Sequence, residues 1–410
     1  MFPVASLLTI VLLAVSIAAS PVEIRSSPIS LPLARSLNTQ GGTINLLQHD
    51  QARATALRAR GDAITAGQLD RRQSSIPVTN IAYSYIAAVG VGNPATTYNL
   101  IVDTGSSNTW VGAETSYTVT STSVDTDEPV SVSYGSGSFS GTEWTDTVTL
   151  ESLTINQQSI GVASQSTGFS GVDGILGIGP EDLTQGTLTN EPTTRIPTVT
   201  QNLYTQGEIP AEIVGVSFEP TTTDSSTNGE LTFGGVDSSK YTGTLSYTPL
   251  TTTAPASYYW GVDESITYGS TTILSTTAGI VDTGTTLILI ATDAYNQYQS
   301  VTGGVSDSAT GLLRLTTSQY DALQNLDFNI GGVTYSLTPN GQIWPRSLNT
   351  YIGGSSDYVY LIVGNLGSNS GSGLDFVNGQ TFLERFYSVF DTTNSRVGFA
   401  TTPYTDATTN

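Results

Sequence analysis

The seven residues Ile101-Val102-Asp103-Thr104-Gly105-Ser106-Ser107 return 179 positions later as Ile280-Val281-Asp282-Thr283-Gly284-Thr285-Thr286. A matched pair of this kind restricts the chain to architectures that present one strand-and-turn unit twice, and two similar lobes are the simplest of these. Each copy reads as a buried strand that delivers a carboxylate into a turn, followed by a hydroxyl, Ser106 or Thr285, placed to hydrogen-bond it. Gly105 and Gly284 let the turn fold tightly and leave room for a second backbone or a substrate. Two such turns facing each other would bring two carboxylates so close that both cannot ionise and one proton is shared. The ionised member can then take a proton from water while the protonated member gives one to a carbonyl oxygen.

Composition closes the competing routes. The 410 residues include no Cys, so disulfides, thiolate nucleophiles and Cys-type zinc sites are excluded together. With 13 Lys and Arg against 34 Asp and Glu, the net charge of −21 repels a polyanionic partner, and nucleic acid is excluded. The single histidine, His49, lies in a segment that the chain is expected to shed. Peptide hydrolysis by a Ser/His/Asp or Cys/His route and a His-ligated zinc are then unavailable, which leaves carboxylates, no metal and no cofactor.

An apolar run from Leu7 to Ala19, ending in small residues, is too short to span a bilayer and reads as a signal peptide over residues 1–20. Its first residues lack the usual positive charge, and a buried N-terminal helix is the alternative. Residues 21–72 form a basic block with seven arginines, four acidic residues and a helix-compatible stretch from Asp50 to Ile64. The block ends in the dibasic Arg71-Arg72, so it reads as a propeptide, with a plain linker as the alternative and Gln73 as the expected mature N-terminus. Taking its charges from the totals leaves 6 basic and 30 acidic residues, a net charge of −24.

Beyond Gln73 the pattern is all β. Runs such as Val130-Ser131-Val132-Ser133-Tyr134 and Thr244-Leu245-Ser246-Tyr247 alternate with Gly, Ser and Asn turns. The best helices are Thr198 to Gln206, stopped by Gly207, and Ser318 to Leu326, where Ser318 and Asp321 have capping-box-like spacing. The polar stretch Thr221 to Gly229 reads as a linker. No later segment is apolar for long enough to span, so the product is expected to be secreted and free of the membrane.

These motifs resemble the pepsin family of aspartic proteases, and the likeness runs from about Tyr85 to Thr401. Asp103 and Asp282 match the family's two catalytic aspartates. Ser106 and Thr285 match the hydroxyls that bond their outer oxygens, and Gly105 and Gly284 match the turn glycines. Tyr134-Gly135-Ser136-Gly137 looks like the flap hairpin that closes over substrate, and Trp110 looks like the tryptophan that bonds the flap tyrosine. Asp173-Gly174-Ile175-Leu176-Gly177 and Phe233-Gly234-Gly235-Val236-Asp237 are further family-like stretches. The Cys-free chain, Ser107-Asn108-Thr109-Trp110 and Phe382-Leu383-Glu384-Arg385-Phe386-Tyr387 look like the secreted fungal branch.

The resemblance implies a bilobal pepsin-like fold with the substrate cleft between an N-terminal lobe over residues 73–248 and a C-terminal lobe over residues 249–410. It implies a monomeric endopeptidase that cleaves polypeptides at acidic pH. Ile101, Tyr134, Ser136 and Ile175 would face the side chain before the scissile bond. Some fungal relatives accept Lys there through an Asp two residues after the flap tyrosine, and this chain has Ser136.

Two departures stand out. Where the family usually has an apolar-apolar-Gly-Asp run, this chain has Val377-Asn378-Gly379-Gln380, so the packing under Asp282 is expected to differ. Pepsin-like zymogens commonly plug the dyad with a Lys, and residues 21–72 contain none; an Arg in its place and a segment that only assists folding are the alternatives. Two rival functions share some features: a glycosidase also pairs carboxylates, and a binding protein could keep the fold without activity. Asp173 and Asp391 read as structural turn residues, and Asp125-Thr126-Asp127-Glu128 reads as a solvated loop.

Overall fold

The structure, a computed structural model, describes residues 28–37, 42–68 and 83–410. The expected signal peptide and the Arg71-Arg72-Gln73 site lie outside the described residues. Strands dominate because the β-branched and aromatic residues alternate inward: along Leu326–Ile330, for example, Leu326, Phe328 and Ile330 are buried while Asp327 and Asn329 are partly exposed.

Thirteen strands form one large sheet. Its middle runs from Ser225–Phe233 through Ile29–Leu37, Tyr83–Val91 and Thr96–Asp103 to Gly174–Gly177. One side continues to the hairpin of Val124–Ser133 and Ser138–Leu150, and the other takes in Phe386–Asp391 and Arg396–Thr401 from the end of the chain. A second sheet of seven strands carries the second repeat, with Gly261–Tyr268, Thr271–Val281 and Phe376–Asn378 at its centre.

The repeat extends well past seven residues. Thr96–Asp103 pairs in parallel with Gly174–Gly177, which is flanked on its other side by the antiparallel Trp110–Val111. Thr271–Val281 pairs in parallel with Phe376–Asn378, which is flanked by the antiparallel Ile288–Ile290. Asp103 therefore ends, and Asp282 follows, a strand held in the middle of a sheet, where both neighbours fix the strand's backbone.

Two segments of the basic block are ordered against the body. Ile29–Leu37 is a strand, unforeseen in the sequence, that pairs with Ser225–Phe233 on one side and Tyr83–Val91 on the other. It buries Leu31, Leu33 and Leu37, and Arg35 reaches Glu384 at 2.8 Å. This pairing corrects the linker expected at Thr221 to Gly229, whose second half lies inside a sheet strand. The expected helix is longer than the apolar pattern suggested, Leu46–Thr65, and starts at Asn45, whose side chain accepts the Gln48 N–H at 3.0 Å.

The helix expected from Thr198 is Val199–Thr205, capped by Thr198 and followed by Gly207 at φ +78°. The one expected from Ser318 is a single turn, Thr317–Tyr320, and its capping box is Thr316 with Gln319 rather than Ser318 with Asp321. It ends early because Leu326–Ile330 is drawn into the second sheet. Asp125-Thr126-Asp127-Glu128 is an irregular strand rather than a loop: the register breaks between Asp125 and Glu128, where Asp127 takes φ +57°.

Candidate active site

Asp103 and Asp282 emerge from different sheets and meet at one point, both buried. Asp103 Oδ1 accepts the Gly105 N–H at 2.9 Å and its Oδ2 accepts the Ser106 hydroxyl at 2.5 Å. Asp282 repeats this with the Gly284 N–H at 2.9 Å and the Thr285 hydroxyl at 2.6 Å. The glycines are needed for the approach of the opposite turn. A Cβ on Gly105 would sit 2.6 Å from Asp282 Oδ1, and one on Gly284 would sit 2.6 Å from Asp103 Oδ1.

What locks the two turns together is a pair of residues to which the sequence reading assigned no role. The Thr104 N–H donates to Thr283 Oγ1 and the Thr283 N–H donates to Thr104 Oγ1, each at 2.9 Å. Each hydroxyl donates onward across the site, Thr104 to the Val281 carbonyl at 3.2 Å and Thr283 to the Val102 carbonyl at 3.0 Å. Their signal was present in the repeat itself, a Thr at the same place in both copies.

Between the carboxylates stands Arg53, from the helix Leu46–Thr65. Its Nη2 lies 2.6 Å from Asp103 Oδ1 and 2.9 Å from Asp282 Oδ1, and its Nε lies 2.8 Å from Asp282 Oδ2. Burial works against the guanidinium charge, but the two carboxylates outweigh it and hold its pKa above the ordinary value. The carboxyls are displaced in opposite directions. Burial, with the neighbouring Asp282 charge, pushes Asp103 up against the pull of Arg53, Ser106 and Gly105. For Asp282, burial is overcome by Arg53, by the Thr285 hydroxyl and by the Gly284 N–H, and its pKa is lowered.

The helix is tied along the cleft on several sides. Asp50 Oδ2 accepts the backbone N–H groups of Thr286 and Leu287, at 3.1 and 2.7 Å. Tyr259, also missed in the sequence, donates its hydroxyl to the Leu57 carbonyl at 2.7 Å. Arg60 donates to the carbonyls of Leu183 and Gln185, and Arg58 to that of Leu374. His49 is buried and its Nδ1 lies 3.0 Å from Asp50 Oδ1.

Tyr134, Gly135, Ser136 and Gly137 form the tip of the hairpin between Val124–Ser133 and Ser138–Leu150, closed by the Tyr134 N–H donating to the Gly137 carbonyl at 2.8 Å. The tip lies on the helix: a Cβ on Gly135, at φ +75°, would collide with the Ala52 carbonyl. Ile101, Trp110, Tyr134 and Ile175 share one apolar cluster, with Phe139 and Phe169 as members that were not anticipated. Phe169 meets both Trp110, at 4.7 Å between ring centroids, and Tyr134, at 5.7 Å, edge to face. Burial and the nearby Asp103 charge push the Tyr134 hydroxyl pKa well above its ordinary value, and the Trp110 side chain, within hydrogen-bonding reach of that hydroxyl, pulls the other way. Asp173 accepts the N–H groups of Asn99 and Thr115, and Asp391 accepts that of Asn394, so both hold backbone.

The comparisons agree with this geometry. A family model described as eukaryotic aspartyl protease matches residues 84–402. The chain is 68% identical over 337 residues to polyporopepsin of Irpex lacteus, covering 82% of this chain and 99% of that protein. It is 31% identical to gastricsin of Cavia porcellus, covering 79% and 82%. The crystal structure of an aspartic proteinase from Irpex lacteus superposes with a TM-score of 0.81 at 59% identity, over 94% of this chain and all of that one. These matches decide against the glycosidase and the inactive binding protein: the chain belongs to the eukaryotic aspartyl proteases and is an aspartic-type endopeptidase of the pepsin family.

Proposed function

We propose that the chain is the latent precursor of a secreted endopeptidase that cleaves polypeptides in acid by activating water on the dyad Asp103 and Asp282. In this reading residues 1–20 are the signal peptide, 21–72 the propeptide, 73–248 the lobe with Asp103 and the flap, and 249–410 the lobe with Asp282. The observation that carries it is the convergence of two identically supported carboxylates on a single cation, Arg53. A cation that satisfies both carboxylates stands where a water bonded to both would have to stand.

With the helix removed, the ionised carboxylate takes a proton from the water as its oxygen attacks the peptide carbonyl. The protonated carboxyl gives its proton to the carbonyl oxygen, forming a neutral gem-diol. As that intermediate collapses, the carboxylate takes a proton from one of its hydroxyls while the carboxyl gives its own proton to the leaving amine, so a carboxylic acid and an amine are released and the pair ends with the single proton it began with. Hydrolysis of casein or denatured haemoglobin at several acid pH values, blocked by a peptide carrying a transition-state-like hydroxyl, tests the reading. Hydrolysis indifferent to that inhibitor would contradict it.

Specificity follows from the cluster beside the dyad. Ile101, Tyr134 and Ile175 are apolar or aromatic and share one cluster, and Ser136, two residues after Tyr134, is uncharged and buried. Seating a substrate Leu or Phe there gains roughly 1.5 to 3 kcal/mol, whereas a Lys would lose its hydration with no carboxylate to meet it. The enzyme should therefore prefer bulky hydrophobic residues flanking the cleaved bond and activate trypsinogen poorly, and Ser136→Asp should improve cleavage after Lys. Matched peptides with Leu or Lys at that position decide the point through kcat/KM; equal values for the natural protein would contradict the pocket assignment.

Maturation is expected after Arg72. Mass spectrometry of the secreted protein should find its N-terminus at Gln73 or within a few residues of it, and a mature protein that retains His49 would contradict the propeptide reading.

A further inference from the structure

Beneath Asp282 lies a buried polar pair, Glu264 and Asn378, that the mechanism above does not use. Both residues are fully buried, and Asn378 Nδ2 donates to Glu264 Oε2 at 2.7 Å. The remaining oxygens, Glu264 Oε1 and Asn378 Oδ1, are buried and receive no hydrogen bond.

The other lobe shows what this position requires for packing alone. Glu264 pairs with Thr277, five residues before Asp282, as Val89 pairs with Tyr98, five residues before Asp103. Asn378 pairs with Val281, next to Asp282, as Leu176 pairs with Val102, next to Asp103. Val89 and Leu176 are both fully buried and apolar. The same scaffold thus closes with hydrocarbon in one lobe and with a carboxyl and an amide in the other, and a buried polar pair costs more than an apolar one of similar volume.

One added proton resolves both orphan atoms. A carboxylic acid and a primary amide form a closed ring of two hydrogen bonds, and a proton on Glu264 Oε1 would supply the donor that Asn378 Oδ1 lacks. We infer that Glu264 is a positioning residue for Asp282: as a neutral acid it locks Asn378, whose backbone carbonyl receives the Asp282 N–H at 3.1 Å. The inference rests on the reading of Asp282 as half of the dyad.

Burial pushes the Glu264 carboxyl up to about 8, and the Asn378 N–H pulls weakly the other way. The ionisable groups on the elements around it are Asp263 and Tyr268 in the same strand, Asp327 on Leu326–Ile330, Asp375 ahead of Phe376–Asn378, and Asp282. All are acids, so none would hold the Glu264 charge in place.

The folded pKa exceeds the ordinary value of 4.5, so the folded protein binds the proton more tightly than the unfolded chain. Stability contributed by the pair is complete below that ordinary value and drains away as pH rises towards about 8, where the folded carboxyl itself ionises and the ring opens.

The test uses mature enzyme held at pH 6 to 9 and returned to acid for assay of kcat and KM, with thermal melting recorded at each pH. Glu264→Gln keeps the ring as two amides and cannot ionise. It should keep kcat in acid within about twofold of the natural enzyme, and its alkaline inactivation should begin about one pH unit higher or more. Asn378→Leu leaves the acid facing hydrocarbon and should lower kcat about tenfold with KM little changed. The double change Glu264→Val with Asn378→Leu copies the other lobe; it should restore kcat and also lose the alkaline limit, and it reads the same point if Glu264→Gln does not fold. Alkaline inactivation of Glu264→Gln or of the double variant that coincides with the natural enzyme would overturn the inference. Asp282→Asn in the same series separates the two readings: if it stays active the dyad is wrong, whereas if it is inactive and Glu264→Gln behaves as the natural enzyme, only the role of Glu264 is wrong.

Discussion

Asp103→Asn and Asp282→Asn should each lower kcat for peptide hydrolysis by ~10²-fold or more, because each removes one of the two groups that move protons. The double substitution should be scarcely worse than either single one, since the carboxyls share one proton and work as a unit. The fold should survive. Asn keeps an oxygen for the Gly105 or Gly284 N–H, and the cross-links through Thr104 and Thr283 do not involve the carboxylates. Steady-state kinetics on the mature variants measure this, and retention of more than roughly a tenth of the natural rate by either would contradict the account.

Removal of the Arg53 side chain should abolish latency. Arg53→Met in the precursor leaves two carboxyls buried under the helix with no cation between them, and breaking a buried ion pair from one side costs about 3–5 kcal/mol. That penalty falls on docking of Leu46–Thr65, whose other ties to the cleft are hydrogen bonds to backbone groups, from Asp50, Arg58 and Arg60, and from Tyr259 to the Leu57 carbonyl. With Arg71 and Arg72 replaced to block processing, the Arg53→Met precursor should cleave peptide without a lag on transfer to acid and should bind a hydroxyl-containing inhibitor already at neutral pH. The natural precursor should do neither. Lys at position 53 should restore latency only in part, since a point charge cannot reproduce the guanidinium fork on both carboxylates. An Arg53→Met precursor as latent as the natural one would contradict the account.

Acid is the trigger in this scheme; the Asp282 half of the pair has that sign, and the raised Asp103 has the opposite one. The Asp282 pKa is lowered in the folded precursor, so the stability it contributes is present above the ordinary carboxylate range and lost as pH falls through the lowered value. Protonation of the acidic body weakens its hold on the basic prosegment in the same direction.

The parts of the site that could be read in the sequence are those written in contiguous residues. Asp103 to Ser106 and Asp282 to Thr285 carry a carboxylate, its turn glycine and its hydroxyl within four positions, and the flap carries its tyrosine and glycines the same way. Arg53 was not legible as the occupant of the dyad because seven arginines share its block and only docking of the helix, 229 residues from Asp282, selects one of them. The strand Ile29–Leu37 is not legible for a related reason: its partners, Tyr83–Val91 and Ser225–Phe233, lie far away in the chain, and the start of the second has the Ser, Thr, Asn and Gly residues of a linker. Asn378 was noticed as a departure, but its partner Glu264 is 114 residues distant and nothing local marks it as buried.

The central claim is that two carboxyls sharing one proton perform the chemistry, and the pH dependence of kcat/KM for the mature enzyme tests it most directly. A bell with both limbs below neutrality is expected, since activity requires the singly protonated pair and fails when that proton is lost or a second is added. A maximum at or above neutral pH, or a rate that climbs to a plateau without an alkaline limb, would contradict it.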